Sequence, residues 1–301
     1  MILKDLLENL PQRPRFNFFS FADVNPLSGR SKRRVVAAPN EAMKTLQRRF
    51  LAHLRSRSNE VARDSLLGHA TSSNSGDSPL RNIQYHRHNR FLYLLDFTHA
   101  YASVKPEQLA PILIRFYPFC NVPVEEMDTF LKSYFFDKIW GLVPGGPASQ
   151  DLFNLYAGSL VDLPIAGLLA EKGVVYTRYI DDLTFSSASP IPESVRRGIR
   201  HSVVEAGFLI NHRKCEHVDL SKRTVVITGI GLDHGGRLFV PRSYLLKIRG
   251  LMHRAITKGG VEKGRIEGMV AFFKLLLQDQ PPNKLEQRVL SEYRQYLARR
   301  T

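Results

Sequence analysis

Three aspartates stand where a carboxylate is hard to explain as a solvated surface group. Asp96 ends the apolar run RFLYLLDF, and Asp181 and Asp182 are neighbours between the β-rich runs VVYTRY and LTFSS. An unpaired carboxylate in apolar surroundings costs several kcal/mol, and adjacent carboxylates repel each other unless cations neutralise them. Two Mg²⁺ ions about 3.5–4 Å apart would do so, and would clamp the attacking and leaving oxygens of a phosphoryl transfer. The alternative stays open at this point, because most Asp-Asp dipeptides lie in surface turns.

These acids need a rigid frame, and the surrounding sequence predicts one. The runs on either side of Ile180–Asp182 predict a β-hairpin with carboxylates at its tip, and Arg90–Phe97 predicts a buried strand. Helices are predicted over Asn40–Arg57, Glu107–Tyr117, Val124–Phe136, Gln150–Leu169, Pro192–Ala206 and the chain from Ser243 onward. Helices packed on a mostly antiparallel sheet make an α+β fold.

The charge of the chain indicates a polyanionic partner. Lys and Arg number 43 against 28 Asp and Glu, a net charge of +15. Residues 1–60 hold 12 basic and 5 acidic side chains and residues 242–301 hold 13 and 5, whereas the residues between them hold 18 of each. Two basic ends around a neutral middle suit a protein that grips a nucleic-acid backbone from both sides.

Composition excludes several other classes of protein. Hydrophobic residues make up 43% of the 301 residues, which is ordinary for a globular chain of about two domains. The two cysteines, Cys120 and Cys215, exclude a disulfide scaffold and a zinc ribbon and fit a reducing compartment. No apolar run approaches the ~20 residues of a membrane helix, and Met1–Pro11 is interrupted by acidic residues, unlike a signal peptide. We therefore expect a cytoplasmic protein with no membrane partner.

Six sequence boxes resemble those of reverse transcriptases and occur in the family's order, over roughly residues 15–275. The segment YIDD, Tyr179–Asp182, resembles the YxDD box of that family. The other five boxes are RVVAAP (Arg34–Pro39), LLDFTHAYASV (Leu94–Val104), GLVPGGPASQDLFNLY (Gly141–Tyr156), GFLINHRK (Gly207–Lys214) and VITGIGLD (Val226–Asp233). The last of them resembles a segment of bacterial retron enzymes. The chain thus resembles a bacterial retroelement reverse transcriptase.

The resemblance implies a right-hand polymerase fold with three parts. Fingers would span residues 1–90, with 105–140 partly in the fingers. A palm with an antiparallel sheet would span 91–240, and a helical thumb would span 241–301.

The resemblance also assigns roles at the acidic site. Asp96, Asp181 and Asp182 would be the catalytic acids, with Asp96 and Asp181 as ligands of two Mg²⁺ ions. The backbone carbonyl of Phe97 would be a further ligand, and Asp182 a weaker ligand or an electrostatic support.

Six residues would surround the incoming nucleotide by the same resemblance: Lys32, Arg34, Tyr101, Gly145, Gln150 and Lys214. Tyr101 would be a steric gate whose ring occupies the space of a ribose 2′-hydroxyl, although a core aromatic is the alternative. Arg34, with Lys32, would contact the triphosphate, since a guanidinium matches phosphate oxygens. Lys214 would lie near the nucleotide or the metal site, with a surface lysine as the alternative.

Other segments carry weaker predictions. Lys247, Arg249 and Arg254 lie on one predicted helix and would follow a nucleic-acid duplex. Tyr85–Arg90 predicts a basic strand that faces phosphate or lies on the surface. The aromatic residues near the N-terminus predict the core of the fingers rather than a base-stacking platform; they are Phe16, Phe18, Phe19 and Phe21.

Two departures leave the subtype open. Pro144 stands where most reverse transcriptases carry Gln before Gly145, and Gln150 follows Ser149, a form that resembles enzymes of diversity-generating retroelements. Because proline offers no side-chain hydrogen bond, base selection should loosen. Ile180 stands where retron and group II intron enzymes typically have Ala. Retron, diversity-generating and phage-defence enzymes all remain candidates.

The predicted function is RNA-directed DNA synthesis, in which dNTPs extend a primer on a dedicated noncoding RNA. Template-independent or protein-primed DNA synthesis by the same site is one alternative, and a non-catalytic RNA-binding protein is another. The expected partners are a structured RNA, an RNA/DNA duplex and dNTPs, and an accessory or effector protein stays open.

Overall fold

A computed structural model describes residues 10–11, 14–24, 31–65, 70–71, 78–117, 122–257, 263–277 and 280–299. The chain divides into two compact units. The first comprises Met1–Asp23 and Lys32–His217, and the second comprises Val24–Ser31 and Val218–Thr301. The predicted limits of fingers, palm and thumb stay a prediction.

The first unit contains both strands and helices. Its strands are β1 Phe16–Val24, β2 Ser31–Pro39, β3 Ala70–Thr71, β4 Phe91–Thr98, β5 Phe136–Asp137, β6 Gly141–Leu142, β7 Val175–Tyr179, β8 Asp182–Ser187, β9 Leu209–Ile210 and β10 Glu216–Asp219, which leads into the second unit. Its helices are α1 Glu41–Ser65, α2 Pro79–Gln84, α3 Pro106–Phe116, α4 Val124–Tyr134, α5 Ser149–Ala157, α6 Leu163–Leu169 and α7 Glu193–Glu205. A 3₁₀ turn covers Ala100–Ser103, and a π-helical segment, Gly158–Asp162, joins α5 to α6.

The central sheet of this unit carries the hairpin. Its strands lie in the order β10, β4, β8, β7 and β3, and β9 pairs with the end of β4. The β4–β8 and β7–β8 pairs are both antiparallel. Their registers place Asp96 of β4 and Tyr179 of β7 opposite Asp182 of β8. The predicted buried strand, hairpin and mostly antiparallel sheet are confirmed.

The helix predicted over Gln150–Leu169 is a core element with an irregular middle. It begins at Ser149 and its α-helical pattern is interrupted by the π-helical segment. The prediction that no apolar run approaches the length of a membrane helix is wrong, because within the described part of the chain Ser149–Leu169 is long and apolar enough to cross one; 61% of its apolar window is buried in the protein. Such burial is usual for a core helix, since a helix that is apolar all round packs inside a protein.

The second unit is built from a small sheet and three helices within the described ranges. Strands β11 Val225–Ile227, β12 Ile230–Leu232 and β13 Leu238–Phe239 form an antiparallel sheet. The helices are α8 Arg242–Thr257, α9 Lys263–Leu276 and α10 Lys284–Ala298. Helix α10 begins with a capping box in which Asn283 and Glu286 satisfy each other's backbone N–H groups. The predicted helical C-terminal region is confirmed.

Two sequence predictions are wrong, one of them in part. Phe16 packs against the hydrophobic core as predicted, but Phe18 and Phe19 do not, because about half of each side chain is exposed on β1; the side chain of Phe21 lies outside the described residues. Tyr85–Arg90 is not a strand but a turn that follows α2. Within this turn His86 is buried, and its ring nitrogens lie 2.7 Å from Ser186 Oγ and Thr177 Oγ1.

The buried imidazole makes folding stability sensitive to acid. Burial lowers the pKa of His86 from 6.5 to about 3, so between these pH values the unfolded chain binds a proton that the folded chain excludes. Stability should therefore fall as pH drops from 6.5 towards 3, by up to about 1.4 kcal/mol per pH unit.

Urea denaturation between pH 7 and pH 4 checks this prediction. His86→Gln should be less stable at pH 7 but should lose less stability on acidification than the unmodified chain. The exposed neighbour His88 supplies the control, because His88→Gln should leave the pH dependence unchanged. If the free energy of unfolding falls equally on acidification for the unmodified chain and His86→Gln, the prediction is wrong.

Candidate active site

The hairpin turn presents the acids through a strained backbone. Ile180 adopts φ +58°, the left-handed region, which costs roughly 1–2 kcal/mol for a residue with a side chain. Two hydrogen bonds hold the turn: Arg178 Nη1 donates to the Ile180 carbonyl at 2.8 Å, and the Phe97 N–H donates to the Asp181 carbonyl at 3.3 Å. The turn is thus fixed both to its own strand and to β4.

The structure brings the three predicted acids together at the ends of β4, β7 and β8. Asp96 is 6% exposed and faces Asp182 across the β4–β8 pair, while Asp181 lies in the turn. Burial raises the pKa of Asp181, and the charge of Asp96 adds to this effect. Burial also raises the pKa of Asp182 to about 7, with the charges of Asp181 and Asp96 contributing. The cluster therefore resists full ionisation without nearby positive charge.

Lys214 supplies such a charge. Its Nζ lies 2.7 Å from Asp96 Oδ1, and the charge of Lys214 lowers the pKa of both Asp181 and Asp182. Lys214 was predicted to lie near the nucleotide or the metal site, with a surface lysine as the alternative. In the structure its ammonium lies against Asp96. Asn211 was missed as a site residue although it lies in the box GFLINHRK. Its Nδ2 donates to Asp96 Oδ2 at 3.1 Å and its N–H donates to the Asp96 carbonyl at 2.8 Å.

The donor set fits a magnesium site that substrate would complete. Mg²⁺ prefers oxygen ligands and usually binds through one or two carboxylates together with waters and substrate phosphates. Nowhere among the described residues do three acidic, histidine or cysteine side chains form a ready-made metal-binding group. The carboxylates of Asp96, Asp181 and Asp182 are nevertheless the hard donors that Mg²⁺ requires.

Tyr101 lies in the 3₁₀ turn that follows β4. Its ring stacks on Phe153 with centroids 4.9 Å apart and planes 22° apart. Burial raises the pKa of Tyr101 to about 12, and the charge of Asp181 adds to the effect, so the phenol stays neutral at physiological pH. The half-buried ring is therefore a fixed apolar wall close to the acids.

The glycine loop packs directly on β2. A Cβ added at Gly145 would lie 2.1 Å from the Ala37 carbonyl oxygen, so only glycine fits at that position. Gln150, half-buried, follows in the first turn of α5. The strand on which this loop packs also carries Lys32 and Arg34, but those two side chains lie outside the described residues.

The predicted duplex-binding residues differ from one another in their surroundings. Arg249 donates from Nε and Nη2 to Glu292 at 2.7 and 2.8 Å, which ties α8 to α10. Lys247 is half-buried and Arg254 is exposed. Arg249 thus has an internal partner that a phosphate would have to replace.

A buried arginine beside the turn was also missed. Arg178 of β7 is fully buried and pairs with Asp162, which is 2% exposed. The only sequence signal was a charged residue inside the apolar run VVYTRY.

Solved structures with a similar fold include two of telomerase. The chain is similar to apo telomerase from Candida tropicalis, with a TM-score of 0.51, 10% identity and coverage of 93% of this chain and 63% of the telomerase chain. It is equally similar, at 0.51 and 10%, to Candida tropicalis telomerase in complex with a TWJ fragment of telomeric RNA, over 92% and 56% of the two chains. At this identity the likeness shows the fold alone. The predicted α+β right-hand polymerase fold is confirmed.

The chain also has sequence relatives among retron reverse transcriptases. The chain is 29% identical over 262 residues to the retron Mx65 reverse transcriptase of Myxococcus xanthus, covering 82% of this chain and 59% of the relative. It is 31% identical over 133 residues to the retron Ec86 reverse transcriptase of Escherichia coli (44% and 40%). It is 25% identical over 260 residues to the Escherichia coli retron Ec83 enzyme (79% and 77%). No protein-family model matches. The predicted resemblance to bacterial retron reverse transcriptases is confirmed, and the chain spans about half the length of the first two relatives.

Lys214→Gln is expected to tighten divalent-cation binding. The lysine ammonium neutralises Asp96, so a metal ion must compete with it. The side chain of Lys214 is 62% exposed, and such a pair contributes no more than about 1 kcal/mol. The dissociation constant for Mn²⁺, used in place of Mg²⁺, should therefore fall by up to about 5-fold, as measured by calorimetric titration of the full chain without nucleotide.

A matched control is Lys132→Gln. It removes a lysine from another exposed pair, with Asp128 at 2.7 Å, and should leave Mn²⁺ binding unchanged. Weaker Mn²⁺ binding by Lys214→Gln would show that the lysine helps to hold the ion rather than competing with it.

Proposed function

We propose that the chain is an RNA-directed DNA polymerase that extends a primer on a noncoding RNA template by metal-dependent nucleotidyl transfer. The observation that carries the proposal is the register that sets Asp96 opposite Asp182, next to Asp181, at the ends of the central strands. The likeness to retron reverse transcriptases supports the same activity. A bacterial retroelement or phage-defence system is the proposed setting.

The three acids and the neighbouring Asn211 would have different roles in metal binding. Asp96 and Asp181 would hold two Mg²⁺ ions, with the Phe97 carbonyl as a further ligand and Asp182 as a weaker ligand or electrostatic support. When bound, the ions would stabilise the charge that develops on the attacking and leaving oxygens. Asn211 orients the Asp96 carboxylate through its hydrogen bond, which leaves fewer conformations for that ligand.

Six further residues would surround the nucleotide. Arg34 and Lys32 would contact its triphosphate, and Lys214 lies close enough to Asp96 to exchange its carboxylate partner for a phosphate oxygen. Tyr101 would exclude a ribose 2′-hydroxyl, since stacking on Phe153 prevents its ring from moving aside. Gly145 keeps the loop before Gln150 close to β2.

An RNA template and an RNA/DNA duplex are the proposed partners, with dNTPs as substrates. The net charge of +15 and its concentration near both ends suit phosphate backbones. Exposed Arg254 is a direct candidate for a phosphate contact, with Lys247 beside it on the same helix. Arg249 would contribute only after exchanging Glu292 for phosphate.

Primer extension by the purified chain tests the proposal. With Mg²⁺, dNTPs and a primed RNA template, we expect DNA of template length. Asp181→Asn should lower the rate by at least about 100-fold, the scale of losing one electrostatic contact to a transition state. Asp128→Asn is the matched control, because Asp128 pairs with Lys132 on α4 rather than with the three acids, and it should retain activity.

A reaction without template decides between two polymerase functions. Pro144 in the nucleotide loop motivates template-independent or protein-primed synthesis, which would give product without RNA. Absence of product on every template, including the RNA that copurifies with the chain, would overturn the proposal and favour an RNA-binding protein.

Tyr101→Ala is expected to weaken discrimination against ribonucleotides. Removing the ring opens space for a 2′-hydroxyl, and the ratio of kcat/KM for a dNTP to that for the matching ribonucleotide should fall by roughly 10- to 100-fold. Tyr101→Phe keeps the ring and should keep the ratio. An unchanged ratio for Tyr101→Ala would assign the tyrosine to the core instead.

A further inference from the structure

Arg178 carries a positive charge in the interior of the first unit. Its side chain is fully buried in β7, two residues before the hairpin turn. Burying an unpaired charge costs several kcal/mol, and replacing a buried ion pair with apolar residues is often neutral or stabilising. The presence of this arginine therefore calls for an explanation beyond stability.

The acidic partner of Arg178 comes from an irregular helix. Nε donates to Asp162 Oδ1 at 3.0 Å and Nη2 donates to Oδ2 at 2.8 Å, while Nη1 donates to Asn154 Oδ1 at 3.0 Å. Residues eight apart on an unbroken α-helix point about 80° apart. The π-helical segment that ends at Asp162 widens the helix between the two partners, so that both reach one guanidinium.

The second hydrogen bond from Arg178 Nη1 reaches the hairpin turn that carries Asp181. It is donated at 2.8 Å to the carbonyl of Ile180, the residue whose left-handed backbone precedes Asp181. The guanidinium also lies 5.7 Å from the centre of the Phe153 ring, on which Tyr101 stacks. Arg178 thus contacts both the turn that carries Asp181 and the ring of Phe153, on which Tyr101 stacks.

Charge balance explains why Asp162 accompanies the arginine. A lone guanidinium close to Asp181 would repel divalent cations from the same carboxylates. The Asp162 carboxylate, which also accepts a hydrogen bond from the Tyr176 hydroxyl at 2.7 Å, cancels that charge. The pair can therefore hold the turn without adding net positive charge to the metal site.

We propose that Arg178 and Asp162 are positioning residues for the metal site: Arg178 holds the Ile180 carbonyl so that Asp181 is presented to a divalent cation, and Asp162 neutralises Arg178. This inference rests on the proposed function, because it assigns buried residues that prepare the same site. If Arg178 and Asp162 had a purely structural role, their loss would lower only the stability of the fold. Under this proposal their loss also lowers the affinity for a divalent cation, independently of stability.

The test separates stability from metal binding in the full chain. Two readouts are needed: the thermal unfolding midpoint, and binding of Mn²⁺ alone, measured by electron paramagnetic resonance without nucleotide or RNA. Asp162→Asn leaves Arg178 uncompensated and should weaken Mn²⁺ binding by roughly 10- to 100-fold, the usual scale for residues that support metal ligands. Arg178→Lys keeps the charge but lacks the guanidinium fork, and should also weaken binding.

A triple variant keeps the test decisive if the single variants unfold. Arg178→Met, Asp162→Leu and Tyr176→Phe together remove both buried charges and the hydroxyl that bonds Asp162, which should recover much of the unfolding midpoint although Asn154 loses one partner. Mn²⁺ binding should stay weak, because no donor holds the Ile180 carbonyl. A folded triple variant that binds Mn²⁺ as tightly as the unmodified chain would overturn the proposal.

A control comes from the second unit. Glu286 is 1% exposed and pairs with Arg237, which is 27% exposed, so Glu286→Gln removes a buried carboxylate from an ion pair far from the acids in sequence. Glu286→Gln should lower the unfolding midpoint and leave Mn²⁺ binding unchanged. Equal losses of Mn²⁺ affinity in Glu286→Gln and Asp162→Asn would overturn the proposal.

Asp181→Asn tests the proposed function itself. If this variant binds Mn²⁺ as tightly as the unmodified chain, the acids are not a metal site and both proposals are wrong.

Discussion

Like charge held in three neighbouring carboxylates with restricted access to water is the constraint on which the rest of this structure depends. Asp96, Asp181 and Asp182 lie together, and burial raises the pKa values of the latter two. Such a cluster is stable only where positive charge reaches it. Lys214 provides that charge through an exposed, exchangeable ammonium, whereas Arg178, whose own charge Asp162 balances, contributes a buried guanidinium that cannot leave. The first is suited to giving way to a cation, and the second is suited to holding the backbone in place.

Strand register gives these charges their geometry. A slip of one residue between β4 and β8 would turn each side chain of one strand to the opposite face and separate Asp96 from Asp182. Aromatic packing opposes such a slip. Phe185 of β8 lies opposite Tyr93 on one side and Tyr176 on the other, with ring centroids 5.8 and 4.7 Å away. Because all three rings are buried, the same core that stabilises the sheet fixes the spacing of the acids.

Local signals in the sequence were enough to predict the hairpin and the buried strand, since each depends on a short run with a clear pattern, whereas the meeting of Asp96 with Asp181 and Asp182 was implied by the family resemblance. The partner of Arg178 could not be predicted, because Asp162 reaches it through a π-helical segment that interrupts an otherwise regular apolar helix. His86 was misjudged for a related reason: in a run of basic residues its burial depends on Thr177 and Ser186, about a hundred residues away. Phe18 and Phe19 were misjudged because an apolar side chain does not show in sequence whether anything covers its strand.

Several departures from local preference occur between Asn154 and Asp181: a π-helical turn, a buried arginine and a left-handed isoleucine. Each one is unfavourable alone, and such departures concentrate where function requires them. Here they are linked, because the π-helical turn places Asp162 against Arg178, and Arg178 in turn holds Ile180. A lysine could not replace the arginine, since one ammonium lacks the planar fork that bonds Asp162, Asn154 and the Ile180 carbonyl at once. The strain of the turn and the cost of the buried charge are therefore offset within a single network, and that network ends at the acid that would bind the metal.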